Sequence, residues 1–193
     1  MTLSDLDENL VYSYADYLKW QIEERVELIK GKIFQMSAPS RVHQKLFGYI
    51  FYEIYYYLKD KKCEVYAAPF DVRLPRMSKE DKDIVTVVQP DICVICNPEI
   101  LDAKGCLGAP DIVVEILSPG NNSLELKNKY ELYEESGVKE YWIVSPGDAT
   151  FVVNILENGK YRPSKLMAKG EVFNSTILTG FSLDLRDMFD KME

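Results

Sequence analysis

Acidic residues stand at unexpected places in two apolar segments of the sequence. Asp91 begins the run ICVIC, and Asp111 begins the run IVVEIL, which contains Glu115. Side chains two positions apart in a β-strand lie on the same face, so a strand here would place Glu115 beside Asp111 and Val113. A carboxylate on a covered sheet face must be paired, bound to a metal or protonated, because an isolated buried charge is costly. Glu115 therefore indicates a functional site.

The two acidic segments are expected to lie side by side. A hairpin-like excursion over residues 97–109 would bring the second strand next to the first, and Asp91 near Glu115. Two carboxylates at the mouth of a sheet attract a hard divalent cation such as Mg²⁺ or Mn²⁺. Such an ion can lower the pKa of a bound water and stabilise charge on a phosphoryl group. A Pro-Asp pair is also a common turn, so Asp91 and Asp111 could instead hold loop backbone.

A lysine in the next segment is a third candidate. Residues 123–136 have helical spacing, with one stripe formed by Leu126, Lys129, Tyr130 and Tyr133. Lys129 on this stripe could reach the carboxylates, orient an attacking water and stabilise negative charge on a phosphate. The alternative is a surface ion pair with Glu125, four residues earlier, worth only about 0.3–0.5 kcal/mol.

The cysteines do not support a zinc site. Cys93 and Cys96 have the two-residue gap of a zinc knuckle, but they lie within an apolar strand-like run. There is no second close pair among the four cysteines, and His43 is the only histidine, so ligands for a tetrahedral site are lacking. We expect reduced, buried thiols.

The segments that position these residues alternate between helical and extended patterns. Helices are predicted near residues 14–24, after Ser13 as N-cap, from about Pro39 to Leu58, and over residues 123–136, ended by Gly137. Strands are predicted for a hairpin in RVELIKGKIFQM and for CEVYAAPFDVRL, VVQPDICVIC, APDIVVEIL, EYWIVS and TFVVNIL. Helices alternating with nearly continuous apolar strands predict an α/β protein whose mixed sheet is covered on its faces by helices.

Composition bounds the function classes. The length of 193 residues with 47% hydrophobic residues predicts one domain spanning 1–193. The formal net charge of −8 argues against a broad nucleic-acid-coating surface but permits a local cleft. The N-terminal segment lacks a signal-peptide pattern and no long apolar run occurs, so we expect a soluble, cytoplasmic protein without a membrane partner.

Several phrases, in order along the chain, resemble one known family. They are VELIKGKIFQMSAPSRVHQ, APFDVRL, VQPDICVI, GAPDIVVEILSP, KYELYEESGVKEYWIVSP and LTGFSLDLRDMF. Together they resemble the Uma-two family of restriction endonucleases, within the PD-(D/E)XK nuclease superfamily, from about residue 25 to residue 190. The resemblance implies a restriction-endonuclease-like mixed central sheet of four strands flanked by helices, here with an additional N-terminal hairpin.

The resemblance also implies roles for particular residues. Asp91 and Glu115 would be the catalytic acids that bind Mg²⁺ or Mn²⁺, with Asp111 as a turn residue. The superfamily usually has a lysine two residues after the second acid, where this chain has Leu117. The family's lysine is on the following helix, which implies Lys129, with Lys127 as the competing choice.

Two further residues match the family's N-terminal motifs. Glu27 is implied as an accessory acid. His43 matches a histidine often present in the family, although a hydrogen bond at a helix N-terminus would explain it equally well.

These residues predict an Mg²⁺-dependent DNA endonuclease in which metal-activated water attacks a phosphodiester. The alternatives are a non-catalytic binding or regulatory module on the same scaffold, and a metal-dependent hydrolase of RNA or another phosphodiester. A double-strand cut usually needs two active sites, which a homodimer would supply. The aromatic segment YIFYEIYYY or the C-terminal FSLDLRDMF are the two candidate contacts.

Overall fold

The computed structural model describes residues 2–118 and 123–192, apart from the side chains of residues 123–125. The helices are α1 (Tyr14–Tyr17), α2 (Arg41–Leu58), α3 (Ser123–Ser136) and α4 (Leu185–Asp190). Short 3-10 turns span Leu3–Asp5 and Pro98–Ile100. The strands are β1 (Val26–Ile29), β2 (Lys32–Gln35), β3 (Glu64–Ala67), β4 (Val72–Arg73), β5 (Val87–Val88), β6 (Ile92–Ile95), β7 (Leu101–Asp102), β8 (Gly105–Leu107), β9 (Ile112–Ile116), β10 (Glu140–Ser145), β11 (Thr150–Glu157), β12 (Lys160–Pro163), β13 (Met167–Ala168), β14 (Val172–Asn174) and β15 (Ser182–Asp184).

The larger sheet has the order β12-β11-β10-β9-β6-β3, and β13 pairs with β11. β9 and β10 are parallel, whereas β6 and β9 are antiparallel, so the sheet is mixed. The excursion predicted between the two acidic strands is confirmed, and it contains β7 and β8. These two strands belong to the smaller sheet, whose order is β2-β1-β5-β4-β8-β7.

The two faces of the larger sheet are covered differently. On one face, α2 and α4 pack through buried residues such as Ile50, Ile54 and Met188 against Val114 and Trp142. On the opposite face, α3 and the smaller sheet share a core with Val113 and Tyr141. The prediction of helices on both faces is therefore confirmed, and a second sheet lies beside α3 on one of them. Glu115 lies on this second face, between the two sheets.

Two predicted strands are each divided between the sheets. CEVYAAPFDVRL forms β3 and β4, and VVQPDICVIC forms β5 and β6. Pro69 and Pro90 lie at the breaks, and proline lacks the N–H that a continuous ladder needs. The chain therefore crosses from one sheet to the other just before Asp91.

The predicted N-terminal hairpin and the two long helices are confirmed. Lys30 and Gly31 join β1 to β2 with φ of 52° and 77°, as a two-residue type I′ turn requires. The Ser40 hydroxyl accepts from the backbone N–H of His43 and thereby caps α2. Gly137 has φ of 90° after the last turn of α3.

The first predicted helix is much shorter than expected. Ser13 caps it as predicted, but α1 ends at Tyr17. Beyond that residue the chain turns so that the Trp20 ring packs edge-on against Tyr12, with ring centroids 5.2 Å apart. Tertiary packing therefore overrides the helical spacing.

The expectation of four reduced cysteines is wrong for two of them. Cys63 and Cys96 form a disulfide, whereas Cys93 and Cys106 are free and buried. The pairing of Glu64 with Ile95 in the β3–β6 ladder brings the next two positions, Cys63 and Cys96, opposite each other. The two-residue gap therefore separates a core thiol from a cross-linked one.

The two candidate contact segments differ in exposure. The C-terminal segment supplies core residues, since Phe181, Leu183 and Phe189 are nearly fully buried. On α2, by contrast, Tyr52, Tyr55 and Tyr56 are 58%, 61% and 67% exposed. Among the described residues, none of the helices combines the length and apolar composition that a membrane span requires.

Candidate active site

One small pocket between the two sheets contains all five side chains that the sequence singled out. Its volume is about 60 Å³, which holds an ion or about two waters rather than an organic ligand. The five side chains are Glu27 from β1, His43 from α2, Asp91 before β6, Glu115 from β9 and Lys129 from α3.

Glu115 is a buried acid of this pocket, and α3 supplies its hydrogen-bond donors. Its Oε1 atom accepts a hydrogen bond of 2.9 Å from Lys129 Nζ and one of 2.8 Å from the Tyr133 hydroxyl. Lys129 and Tyr133 lie four residues apart on α3, so one helix face supplies both donors. Glu115 is held in one orientation by two buried partners.

Glu27 is the second partner of Lys129. Its Oε2 lies 3.1 Å from Lys129 Nζ, and its Oε1 accepts from the backbone N–H of Gln89 at 2.8 Å. Glu27 is 2% exposed, which is unusual for a carboxylate in the middle of a strand. One ammonium group thus lies between two buried carboxylates from different sheets.

Asp91 connects β9 to α2. Its Oδ2 accepts from the backbone N–H of Ile116 at 2.8 Å and lies 3.1 Å from His43 Nε2. A carboxylate can only accept, so this contact needs the imidazole proton on Nε2. The other ring nitrogen, Nδ1, is buried and has no hydrogen-bond partner in the part of the chain that the structure describes.

The electrostatics of the pocket follow from burial. Burial raises the pKa of Glu115 to about 7, with Asp91 and Glu27 adding to the rise and Lys129 opposing it. Burial disfavours the charged form of Lys129, but Glu115 and Glu27 outweigh it and raise the lysine pKa well above its ordinary value. Lys129 is therefore a cation at neutral pH, and no proton acceptor.

The alternatives left open by the sequence are placed elsewhere. Asp111 Oδ2 accepts from the backbone N–H of Cys96 at 2.7 Å, and Asp111 Oδ1 from Lys139 Nζ at 2.6 Å, outside the pocket. The Lys127 side chain is 70% exposed and lies 3.8 Å from Glu131. The alternative ion pair of Lys129 with Glu125 involves a Glu125 side chain outside the described residues.

Sequence reasoning missed two residues that support the pocket. Helical spacing places Tyr133 on the stripe with Lys129 but gives it no role, yet its hydroxyl contacts Glu115. Gln89 was not singled out; its side chain bonds Arg25, Tyr17 and Asp71 while its backbone N–H holds Glu27. The Tyr133 hydroxyl, four residues from Lys129, was a readable signal, whereas Gln89 acts through its backbone and left none.

The carboxylates of the pocket suit a hard divalent cation. Hydrogen bonds from described residues reach only Oε1 of Glu115 and only Oδ2 of Asp91, which leaves one oxygen of each. No group of three or more His, Cys, Asp or Glu side chains is arranged as a metal site within the described residues. In proteins Mg²⁺ is usually bound by one or two carboxylates, while waters and substrate phosphates complete its coordination shell.

Fold and pocket together define an α/β protein of restriction-endonuclease-like fold. The structure is similar to that of "a putative nuclease belonging to DUF820" from Anabaena variabilis ATCC 29413, with a TM-score of 0.73 and 19% identity. That similarity covers 94% of this chain and 99% of the other, and at this identity it shows the fold alone.

Sequence comparison then gives the family. A relative described as uncharacterized protein slr1290, from Synechocystis sp. (strain ATCC 27184 / PCC 6803 / Kazusa), is 24% identical over 136 residues. These residues are 69% of this chain and 68% of the relative. The family model described as "Uma2: Putative restriction endonuclease" matches residues 14–186, and the chain belongs to the Uma2 family.

Proposed function

We propose that this protein is a metal-dependent nuclease that hydrolyses phosphodiester bonds of DNA. The description of its family and that of its structural neighbour support a nuclease. The observation that carries the proposal is the convergence of Asp91, Glu115 and Lys129 in one buried pocket. Two acids that share a pocket with a cation are suited to binding a metal and a phosphate together.

In this proposal Asp91 and Glu115 hold Mg²⁺ or Mn²⁺ through their remaining oxygens. When bound, the ion supplies a water of lowered pKa and stabilises charge on the phosphate. Lys129, held by Glu115 and Glu27 at 2.9 Å and 3.1 Å, orients the attacking water and stabilises negative charge as it develops. His43 orients Asp91, and Glu27 fixes the position of the lysine ammonium.

The test is cleavage of long, sequence-diverse DNA in Mg²⁺, in Mn²⁺ and in chelator. We expect metal-dependent cutting by the wild type and a loss of at least about 100-fold in Glu115→Gln. RNA of the same length, assayed in parallel, decides between DNA and RNA as substrate. Cutting that survives in Glu115→Gln would contradict the assignment of Glu115.

A pair of lysine variants provides a matched control. Lys129→Met should lower the cutting rate by about 100-fold, because it removes the cation nearest the phosphate. Lys127→Met, two residues away on the exposed side of α3, should cut like the wild type. Thermal unfolding of both variants checks that any loss of activity is not a loss of fold.

A second candidate function is a binding module that keeps the scaffold without catalysis. The ion pairs that Lys129 makes with Glu115 and Glu27 favour it, because they neutralise the acidic pocket without a metal. This function predicts no cutting in any metal, and no rise in melting temperature on adding Mg²⁺ or Mn²⁺. A rise in melting temperature that Glu115→Gln abolishes would argue against it.

A homodimer remains part of the nuclease proposal. The exposed tyrosines of α2 are the contact that we propose, since the C-terminal segment lies in the core. Sedimentation of the wild type and of a Tyr52→Ser, Tyr56→Ser double variant tests it. A monomer at micromolar concentration in both would contradict the dimer while leaving the chemistry unaffected.

A further inference from the structure

A second, much larger pocket adjoins the acidic pocket and is not used by the proposed chemistry. Its volume is about 550 Å³, within the roughly 300–1,000 Å³ typical of small-molecule sites. Its walls are formed by Ser40, Val42, Leu117, Ser118, Leu126, Ser145, Pro146 and Gly147. Ser118 also lines the acidic pocket, so the two cavities share a wall.

Three segments of the chain contribute to both pockets. Val42 precedes His43 on α2, Leu117 lies two residues after Glu115, and Leu126 lies one helical turn before Lys129. Each of these segments thus contributes one side chain to the acidic pocket and a nearby one to the larger pocket. A molecule whose phosphate lies at the acids would therefore extend directly into the larger pocket.

The chemistry of the walls limits what can bind there. Apolar side chains alternate with three serines, and none of the described lining residues carries a charge. Among the described residues of these walls, a phosphate would find no cation and a metal ion no carboxylate. The Ser40 hydroxyl accepts from the His43 N–H, which leaves its own proton to donate, and Ser145 donates to Asp148, which leaves its oxygen to accept. Flat apolar surface edged by hydroxyl groups suits a nucleobase with its sugar.

A phosphodiester carries a nucleoside on each side, and the acidic pocket is too small for either. We infer that the larger pocket binds the nucleoside next to the bond to be cut, and that this nucleotide must be unpaired. A base inside a duplex has its faces covered by neighbours and its edge covered by its partner, so it cannot enter an enclosing pocket. This inference rests on the proposed nuclease function and names its substrate class: single-stranded DNA, or a duplex with an unpaired nucleotide.

Gly147 allows the pocket to be filled without strain. A Cβ atom at this position would meet no atom within 4 Å, and the residue lacks the left-handed backbone that favours glycine. Gly147→Phe should therefore fold and occupy the pocket. Leu166 is 62% exposed and lines neither pocket, so Leu166→Phe is the control.

The experiment compares one oligonucleotide as a single strand, as a full duplex and as a duplex with one unpaired nucleotide, in the same metal. We expect the wild type to cut the single strand and the unpaired site at least about tenfold faster than the full duplex. Gly147→Phe should lose about tenfold on the single strand, while Leu166→Phe should match the wild type. If Gly147→Phe unfolds below the assay temperature, Leu126→Phe fills the same pocket from α3.

A binding measurement separates this inference from the nuclease proposal. A single strand containing 2-aminopurine is titrated with Glu115→Gln protein in chelator, and its fluorescence should change on binding. Adding Gly147→Phe to Glu115→Gln should abolish that change. Equal cutting of paired and unpaired DNA, or equal fluorescence changes with and without Gly147→Phe, would overturn the pocket assignment. If the wild type cuts no substrate, the nuclease proposal is wrong, and the fluorescence titration still decides what the pocket binds.

Discussion

Replacing Glu115 by glutamine should change how the stability of the metal-free protein depends on pH. Burial, with Asp91 and Glu27 nearby, raises the pKa of Glu115 from 4.5 to about 7 in the folded protein. Between these two values the folded state holds a proton that the unfolded state has released. The free energy of unfolding therefore falls as pH rises through this window, and it levels off above the folded-state pKa.

The magnitude follows from the width of the window. From about pH 5.5 to the folded pKa of about 7, at roughly 1.4 kcal/mol per unit, the wild type should lose about 2 kcal/mol. Glutamine does not titrate, so Glu115→Gln lacks this loss. The stability difference between the two proteins should thus shift by about 2 kcal/mol towards the variant between about pH 5.5 and 8.5.

Urea unfolding at several pH values measures this shift. Fluorescence of Trp142, which is fully buried, reports the transition, and chelator keeps the site free of metal. Contributions from groups far from the pocket are common to both proteins and cancel in the difference. Parallel pH profiles would refute the reasoning. If the free energy of unfolding of the wild type rises relative to that of the variant as pH rises, the ion pair with Lys129 outweighs burial of Glu115.

Three further predictions concern single side chains. Tyr133→Phe should weaken Mn²⁺ binding about tenfold in calorimetry, because it removes a hydrogen-bond donor from Glu115. Tyr141→Phe is the control and should leave Mn²⁺ binding unchanged, since the Tyr141 hydroxyl is buried without a partner among the described residues. Glu140→Gln should lower the free energy of unfolding, measured with urea, by about 3 kcal/mol. The Glu140 carboxylate is fully buried and accepts five hydrogen bonds, from one indole, two hydroxyls and two backbone N–H groups. A loss below about 1 kcal/mol would contradict this prediction. Cys63→Ser should cost about 3–4 kcal/mol, from the 33-residue separation that the disulfide closes, and a reductant should destabilise the wild type but not the variant.

Local patterns were read correctly where neighbouring residues decide the structure. The Lys30-Gly31 turn, the Ser13 cap and the end of α3 at Gly137 all depend on backbone geometry within a few residues. Alternation along β9 also placed Glu115 on the face opposite Val114, because the pleat of a strand fixes that face. These features need no information from distant parts of the chain.

The second sheet and the disulfide could not be read in the same way. β4, β5, β7 and β8 have only two or three residues each, too few for a periodic signal. Cys63 and Cys96 meet only through the register of the β3–β6 ladder. The length of α1 was overestimated for a related reason, since packing of Trp20 on Tyr12 competes with the helix.

The sequence by itself determined which residues are candidates for the proposed chemistry: acids within apolar runs, a lysine on an inward helical stripe, and residues in motifs that resemble one family. Only the tertiary structure decided that Lys129 lies between Glu115 and Glu27, and that Lys127 points to solvent. Glu27 and Lys129 are 102 residues apart, and they meet because the smaller sheet packs against α3 and the larger sheet. Hydrophobic burial between the sheets brings them together, and that burial is a property of the whole core rather than of any segment.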